Sequence, residues 1–147
     1  MRYRKTTVKA VAAALVVAAG SVSGAASAAS RKLPVSPKVG KPSTAFVTTF
    51  VARYPTSQGE GNAGQFYYYE GRGPGACREF GLSSSRTYRR GDKVKLRMIP
   101  FSIGEDDERT TWCPGRYSGK VTWMETTPRG LVVKEHSVGR FAFTVKR

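Results

Sequence analysis

The sequence predicts an all-β domain, a small antiparallel sandwich closed by one disulfide. Three observations lead there. From Thr44 onward the apolar residues recur at every second position, the repeat of a half-buried strand. Gly and Pro clusters interrupt that alternation often enough to leave only short strands. Beyond the N-terminal leader-like segment no amphipathic helical pattern is found. Six or so such strands in roughly 105 residues favour a sandwich, with a small closed barrel as the alternative.

Residues 1–29 have the three-part layout of a signal peptide. Arg2, Arg4, Lys5 and Lys9 give a positive start, and Val8–Val17 is almost wholly Ala, Val and Leu. The stretch Gly24-Ala25-Ala26-Ser27-Ala28-Ala29 offers cleavage points. Gly20, Ser21, Ser23 and Gly24 break the apolar run well short of the roughly 20 residues a membrane span needs. The expected product is secreted and extracellular, with no transmembrane anchor after cleavage near Ala29. It would keep 118 residues, enough for one core and too few for two. The signal carries four of the 25 basic residues and none of the ten acidic ones, so the product is about +11.

Residues 30–43 hold three prolines and four basic side chains and little to bury, and are expected to form a flexible arm. The sandwich should occupy 44–147. Phe46, Thr48, Phe50, Ala52 and Tyr54 share one face of the first strand, with Val47, Thr49, Val51 and Arg53 on the other. Pro55–Gly64 is turn material. Gln65–Glu70 is an aromatic run and a strong strand former. Gly71–Gly75 then turns the chain toward Cys77, and 78–91 reads as a long loop or short edge strand. In Asp92–Ile99, Val94, Leu96 and Met98 point inward and Lys93, Lys95 and Arg97 outward. Residues 102–111, with Glu105-Asp106-Asp107-Glu108, should be a loop. A strand through Tyr117, Gly119, Val121 and Trp123 follows, then a tight turn at Thr127-Pro128-Arg129-Gly130. Leu131–Lys134 and Val138–Lys146 are read as two final strands. The expected core is Phe46, Phe50, Phe66, Tyr68, Val94, Leu96, Tyr117, Val121, Trp123, Phe141 and Phe143.

Only two cysteines occur, Cys77 and Cys113, and in an exported chain an isolated pair is most simply a disulfide. A metal pair or a reactive thiol lacks a supporting cluster, because His136 is the only histidine and lies in a polar, turn-like stretch.

The Phe46-x-Thr48-x-Phe50 strand, Gly73-Pro74-Gly75-Ala76-Cys77, Trp112-Cys113-Pro114-Gly115-x-Tyr117 and Gly139-x-Phe141-x-Phe143-x-Val145 together carry a resemblance. Over residues 44–147 the chain resembles the immunoglobulin-like or fibronectin-type β-sandwich modules of uncharacterised proteins secreted by high-GC Gram-positive bacteria. The resemblance implies an immunoglobulin-like sandwich and brings no activity with it. The cysteines depart from the antibody pattern. Cys77 follows a strand, Cys113 precedes one and Trp112 adjoins the second Cys, which implies a peripheral disulfide.

No catalytic constellation is legible. His136 beside Ser137 is adjacency rather than a triad. Four consecutive acids at 105–108 suit a solvated cap better than a glycosidase pair, and they lack the alternating spacing of a calcium loop. Gly71–Gly75 has no Gly-Lys-Ser/Thr continuation and is a turn. No cofactor and no metal are expected, and the chain is not read as an enzyme.

The basic surface is the feature that points to a partner. Residues 72–97 contain Arg72, Arg78, Arg86, Arg89, Arg90, Lys93, Lys95 and Arg97 against Glu79 and Asp92. Lys93, Lys95 and Arg97 project from one side of one strand, next to Arg89 and Arg90. The expectation is a non-enzymatic module that adheres to an anionic cell-envelope polymer through these five residues. The plain alternative is that Lys and Arg decorate a solvent face and protect a strand edge. Tyr67 and Tyr69 could stack on nucleic-acid bases or pack on a sheet face. A different class of function is a protein–protein or inhibitor-like module using the disulfide-tethered loops, with Arg72, Trp112 and Arg116 as anchors.

Overall fold

Residues 31–100 and 110–147 are described by the computed structural model, and the proposed signal peptide and the acidic run Glu105–Glu108 lie outside them. The chain forms β1 (Val35–Ser36), β2 (Val39–Gly40), β3 (Phe46–Val51), β4 (Ser57–Gln58) and β5 (Gly64–Arg72). After a 3₁₀ turn at Gly75–Cys77 come β6 (Glu79–Ser83), β7 (Lys93–Met98), β8 (Gly115–Thr126) and β9 (Val132–Val145). The described residues are all-β apart from that turn. Alternation dictates the faces: β7 reads exposed at Lys93, Lys95 and Arg97 and buried at Val94, Leu96 and Met98.

The strands make two sheets, one ordered β1-β3-β7 and one ordered β2-β9-β8-β5-β4, with β6 beside the end of β5. The pairing is antiparallel except between β2 and β9, which run parallel, so the wholly antiparallel expectation needs that correction. Inner faces of the two sheets meet. Phe46 of β3 stacks on Phe143 of β9 at 4.1 Å, and Phe50 meets Tyr67 of β5 edge-on at 5.0 Å. Burying these rings is the main stabilising term, at about 25 cal/mol per Å² of apolar surface removed from water.

The strand-forming stretch at 30–43 is the largest departure from expectation. Instead of a free arm, the described part joins both sheets, β1 beside β3 and β2 beside β9. Leu33 and Val35 alternate inward and are buried. Gly139 makes room for this, since a Cβ there would lie 2.6 Å from the Arg31 carbonyl and 2.9 Å from Leu33. The Leu33 N–H donates to the Arg140 carbonyl and the Arg140 N–H to that of Arg31, both at 2.7 Å.

The aromatic strand β5 sits one residue out of the expected register. Tyr67 and Tyr69 face the core, and Phe66 and Tyr68 are half-buried on the outer face. Main-chain partners inside explain the choice. The Tyr67 hydroxyl donates to the Tyr54 carbonyl at 2.7 Å, and the Tyr69 hydroxyl accepts the Ile99 N–H at 3.1 Å. Both tyrosines are opposite inward residues of β8, Trp123 and Val121. Base stacking by Tyr67 and Tyr69 is therefore ruled out by burial.

The two last strands expected from sequence are one continuous β9, with register shifts opposite Val121/Thr122 and Glu125/Thr126. These bulges accommodate Val138 and Val133 without ending the ladder. The turn before it is as expected: the Gly130 N–H donates to the Thr127 carbonyl at 2.8 Å, and Gly130 has φ +79°. That positive φ is what glycine supplies at the end of a type I turn with a bulge.

Candidate functional site

Disulfide and aromatic cluster fix the end of the domain from which the second set of candidate anchors was drawn. Cys77 and Cys113 are bonded, with Cα atoms 5.8 Å apart. The Cys113 N–H donates to Cys77 Sγ at 3.1 Å, and the Tyr117 hydroxyl donates to the Cys113 carbonyl at 2.8 Å. Cys77 is buried and Cys113 partly so, which places the bridge against the core. Trp112 is the correction here. It is only 3 % exposed, packed among Phe46, Phe80, Tyr117 and Phe143 at 5.1–6.0 Å. Its Nε1–H donates to the Thr44 carbonyl at 3.2 Å. A side chain so enclosed holds the core and offers a partner nothing. Arg72 and Arg116 are exposed, on β5 and β8.

The only histidine also differs from expectation. His136 belongs to β9, not to a turn, and is half-buried. Its ring stacks on Tyr54 at 4.3 Å and lies 5.5 Å from Trp123. Pairing opposite Trp123 puts it on the inner side of the sheet, so it ends an aromatic stack. Among the described residues no three His, Cys, Asp or Glu side chains gather as a metal site, and no helix is long and apolar enough to cross a membrane.

The basic row lies on the three-stranded sheet. Among the described residues β7 pairs with β3 alone, with Lys93 opposite Val51, Lys95 opposite Thr49 and Arg97 opposite Val47. All three cations are exposed, and alternate residues of a strand are about 6.7 Å apart. Among the described residues none of the three is in an ion pair. Arg53 continues the outward side of β3 past Val51 and is exposed, adding a charge that sequence alternation had placed on this face.

Arg89 and Arg90 stand at the head of the row for a local reason. Asp92 Oδ2 accepts the Arg89 N–H at 2.7 Å, the Asp92 N–H returns to the Arg89 carbonyl at 3.1 Å, and Gly91 takes φ +95°. This turn commits the Asp92 carboxylate to the main chain and presents both arginines, which are exposed. The Gly91 N–H and Asp92 carbonyl bond Ala52, fixing the turn to the end of β3.

Residues 72–97 are one basic run in sequence but two surfaces in space. Arg72 and Arg78 belong to the neighbourhood of β5 and β6 in the six-stranded sheet, whereas Arg89–Arg97 belong to β7 and its turn. The second group's one carboxylate, Asp92, is bonded to the Arg89 main chain, and the β7 cations Lys93, Lys95 and Arg97 follow it on alternate positions. Comparison with known proteins finds no matching family model, no matching curated protein and no matching solved structure.

Proposed function

We propose that the chain is a secreted, non-enzymatic binding module of immunoglobulin-like architecture that adheres to a linear anionic polymer of the cell envelope. The observation that carries this reading is the exposed row Lys93, Lys95 and Arg97, in no ion pair among the described residues and headed by Arg89 and Arg90. A strand spaces its outward charges evenly, so an extended polyanion can meet one cation at each of several successive steps. The immunoglobulin-like part is supported by two face-to-face sheets and by the Tyr117 hydroxyl bonding to main chain four residues upstream.

Attraction of this kind releases condensed counterions, so its affinity falls with salt by roughly 0.7 log units per contact per log unit of salt. Three contacts give about 20-fold weaker binding between about 50 and about 200 mM salt, and five give about 100-fold. The experiment is retention of the full-length exported protein on purified cell walls through that series, beside the variant Lys93→Glu/Lys95→Glu. Retention at low salt, lost at high salt and in the variant, is expected. Absence of retention at low salt, or retention indifferent to salt, overturns the reading.

A further inference from the structure

The six-stranded sheet has an outer face that the basic row does not reach, and it carries a groove of about 650 Å³ across β5, β6, β8 and β9. That volume lies within the range of ligand sites, about 300–1,000 Å³. Strand register lays its side chains in two rows. Glu70, Lys120 and Arg140 stand opposite one another, and Glu79, Arg72 and Ser118 form the next row. Between the rows Gly71 and Gly119 line the groove with main chain alone.

The charges are mixed and only partly satisfied. Lys120 Nζ meets Glu70 Oε1 at 2.9 Å, whereas Arg72 and Arg140 have no ion pair among the described residues. Along β5 the same face continues into Tyr68 and Phe66, both half-buried. The hydroxyls of Tyr67, Tyr69 and Tyr117 are hydrogen-bonded, but among the described residues that of Tyr68 is not. Burial pushes the Tyr68 phenol up, and the neighbouring Glu70 carboxylate adds to this, so the group stays a neutral donor through the physiological range.

We propose that this face binds a saccharide chain rich in hydroxyls and bearing one carboxylate per sugar, of the uronic-acid kind. Three alternatives fit less well. A polyphosphate would meet Glu70 and Glu79 as well as the cations. An apolar ligand would strip water from five charged groups with nothing in exchange. A wholly neutral sugar would leave the two unpaired guanidiniums, suited to two-point contact with a carboxylate, without a partner. A pyranose ring instead offers an apolar face to Tyr68, hydroxyls to Ser118, Glu79 and the Lys120–Glu70 pair, and its carboxylate to Arg72 or Arg140.

The inference is independent of the polyanion row, since it uses the other sheet. The test is calorimetric titration of the full-length exported protein with a galacturonic acid tetramer, beside a neutral glucose tetramer and a short polyphosphate. Tyr68→Ala and Arg140→Gln are each expected to weaken the tetramer about tenfold or more with unfolding midpoints held, while Lys93→Glu/Lys95→Glu leaves it unchanged. The inference is overturned by absence of saturable galacturonate binding, by no loss in Tyr68→Ala, by equal loss in the β7 variant, or by equal affinity for polyphosphate.

Discussion

Replacing Tyr69 by Phe should change how stability responds to alkali. Tyr69 is 2 % exposed, and burial pushes its phenol up to about 12, partly opposed by the Ile99 N–H bonded to its oxygen. In the unfolded chain the same group titrates near 10. The folded value is the higher one, so above pH 10 the folded protein holds a proton the unfolded chain has lost. The contribution is therefore whole below pH about 10 and is lost as pH rises toward about 12. Two units at about 1.4 kcal/mol each make it worth roughly 2.7 kcal/mol. Urea unfolding followed by tryptophan fluorescence, with Trp112 and Trp123 both buried, measures it between about pH 8 and about pH 11.5. Tyr67 and Tyr68, also raised by burial, give both proteins a shared alkaline slope. Wild type should lose about 2 kcal/mol more than Tyr69→Phe over this range, the rest being lost above it. The variant should start about 1–3 kcal/mol lower at neutral pH, because the Ile99 N–H is left without its acceptor. Identical pH profiles would refute the inward placement of Tyr69.

Other outcomes follow from the same contacts. Cys77→Ser/Cys113→Ser opens a loop with a sequence separation of 36 and should cost about 4 kcal/mol by loop entropy, read from denaturant midpoints. Trp112→Ala should cost about 3–5 kcal/mol and lower the thermal midpoint, the opposite of what a surface anchor would do. Thr56→Val removes the buried hydroxyl that accepts the Tyr88 N–H at 2.6 Å and donates to the Arg86 carbonyl at 3.1 Å, for a loss of about 1–3 kcal/mol by urea unfolding. Gly119→Ala should unfold at markedly lower denaturant, since a Cβ there collides with the Glu70 carbonyl of β5 and the Phe141 ring.

Period-two reasoning carried well wherever polar and apolar residues alternate. β3 and β7 show this, with Phe46, Thr48, Phe50 and Val94, Leu96, Met98 inward as expected. It failed at Phe66–Tyr69, where four consecutive aromatics give alternation nothing to grip. The signal that resolves the register lies just beyond, because Glu70 shares a side with Phe66 and Tyr68 and needs solvent. The arm misled for a different reason. Its prolines and lysines masked two alternate apolar residues, Leu33 and Val35, and Leu33 packs into the space that Gly139, far along the chain, leaves open. His136 was misplaced because its neighbours Lys134, Glu135 and Ser137 are polar, yet its ring-stacking partners come from residue 54 and from β8. Of the candidate sites, the outward placement of Lys93, Lys95 and Arg97 was legible, since it needs only the local pattern of β7. The outer groove was not, because it is assembled across four strands.

The double role of the segment ahead of β3 bears on where this unit can be cut. Composition invites a boundary at Thr44, but a fragment starting there would strip a neighbour from β3 and another from the end of β9 at one stroke. It would also take Leu33 and Val35 out of the core cluster, and leave two raw strand margins free to recruit other chains. Recombinant versions meant to behave as monomers should therefore begin no later than Arg31.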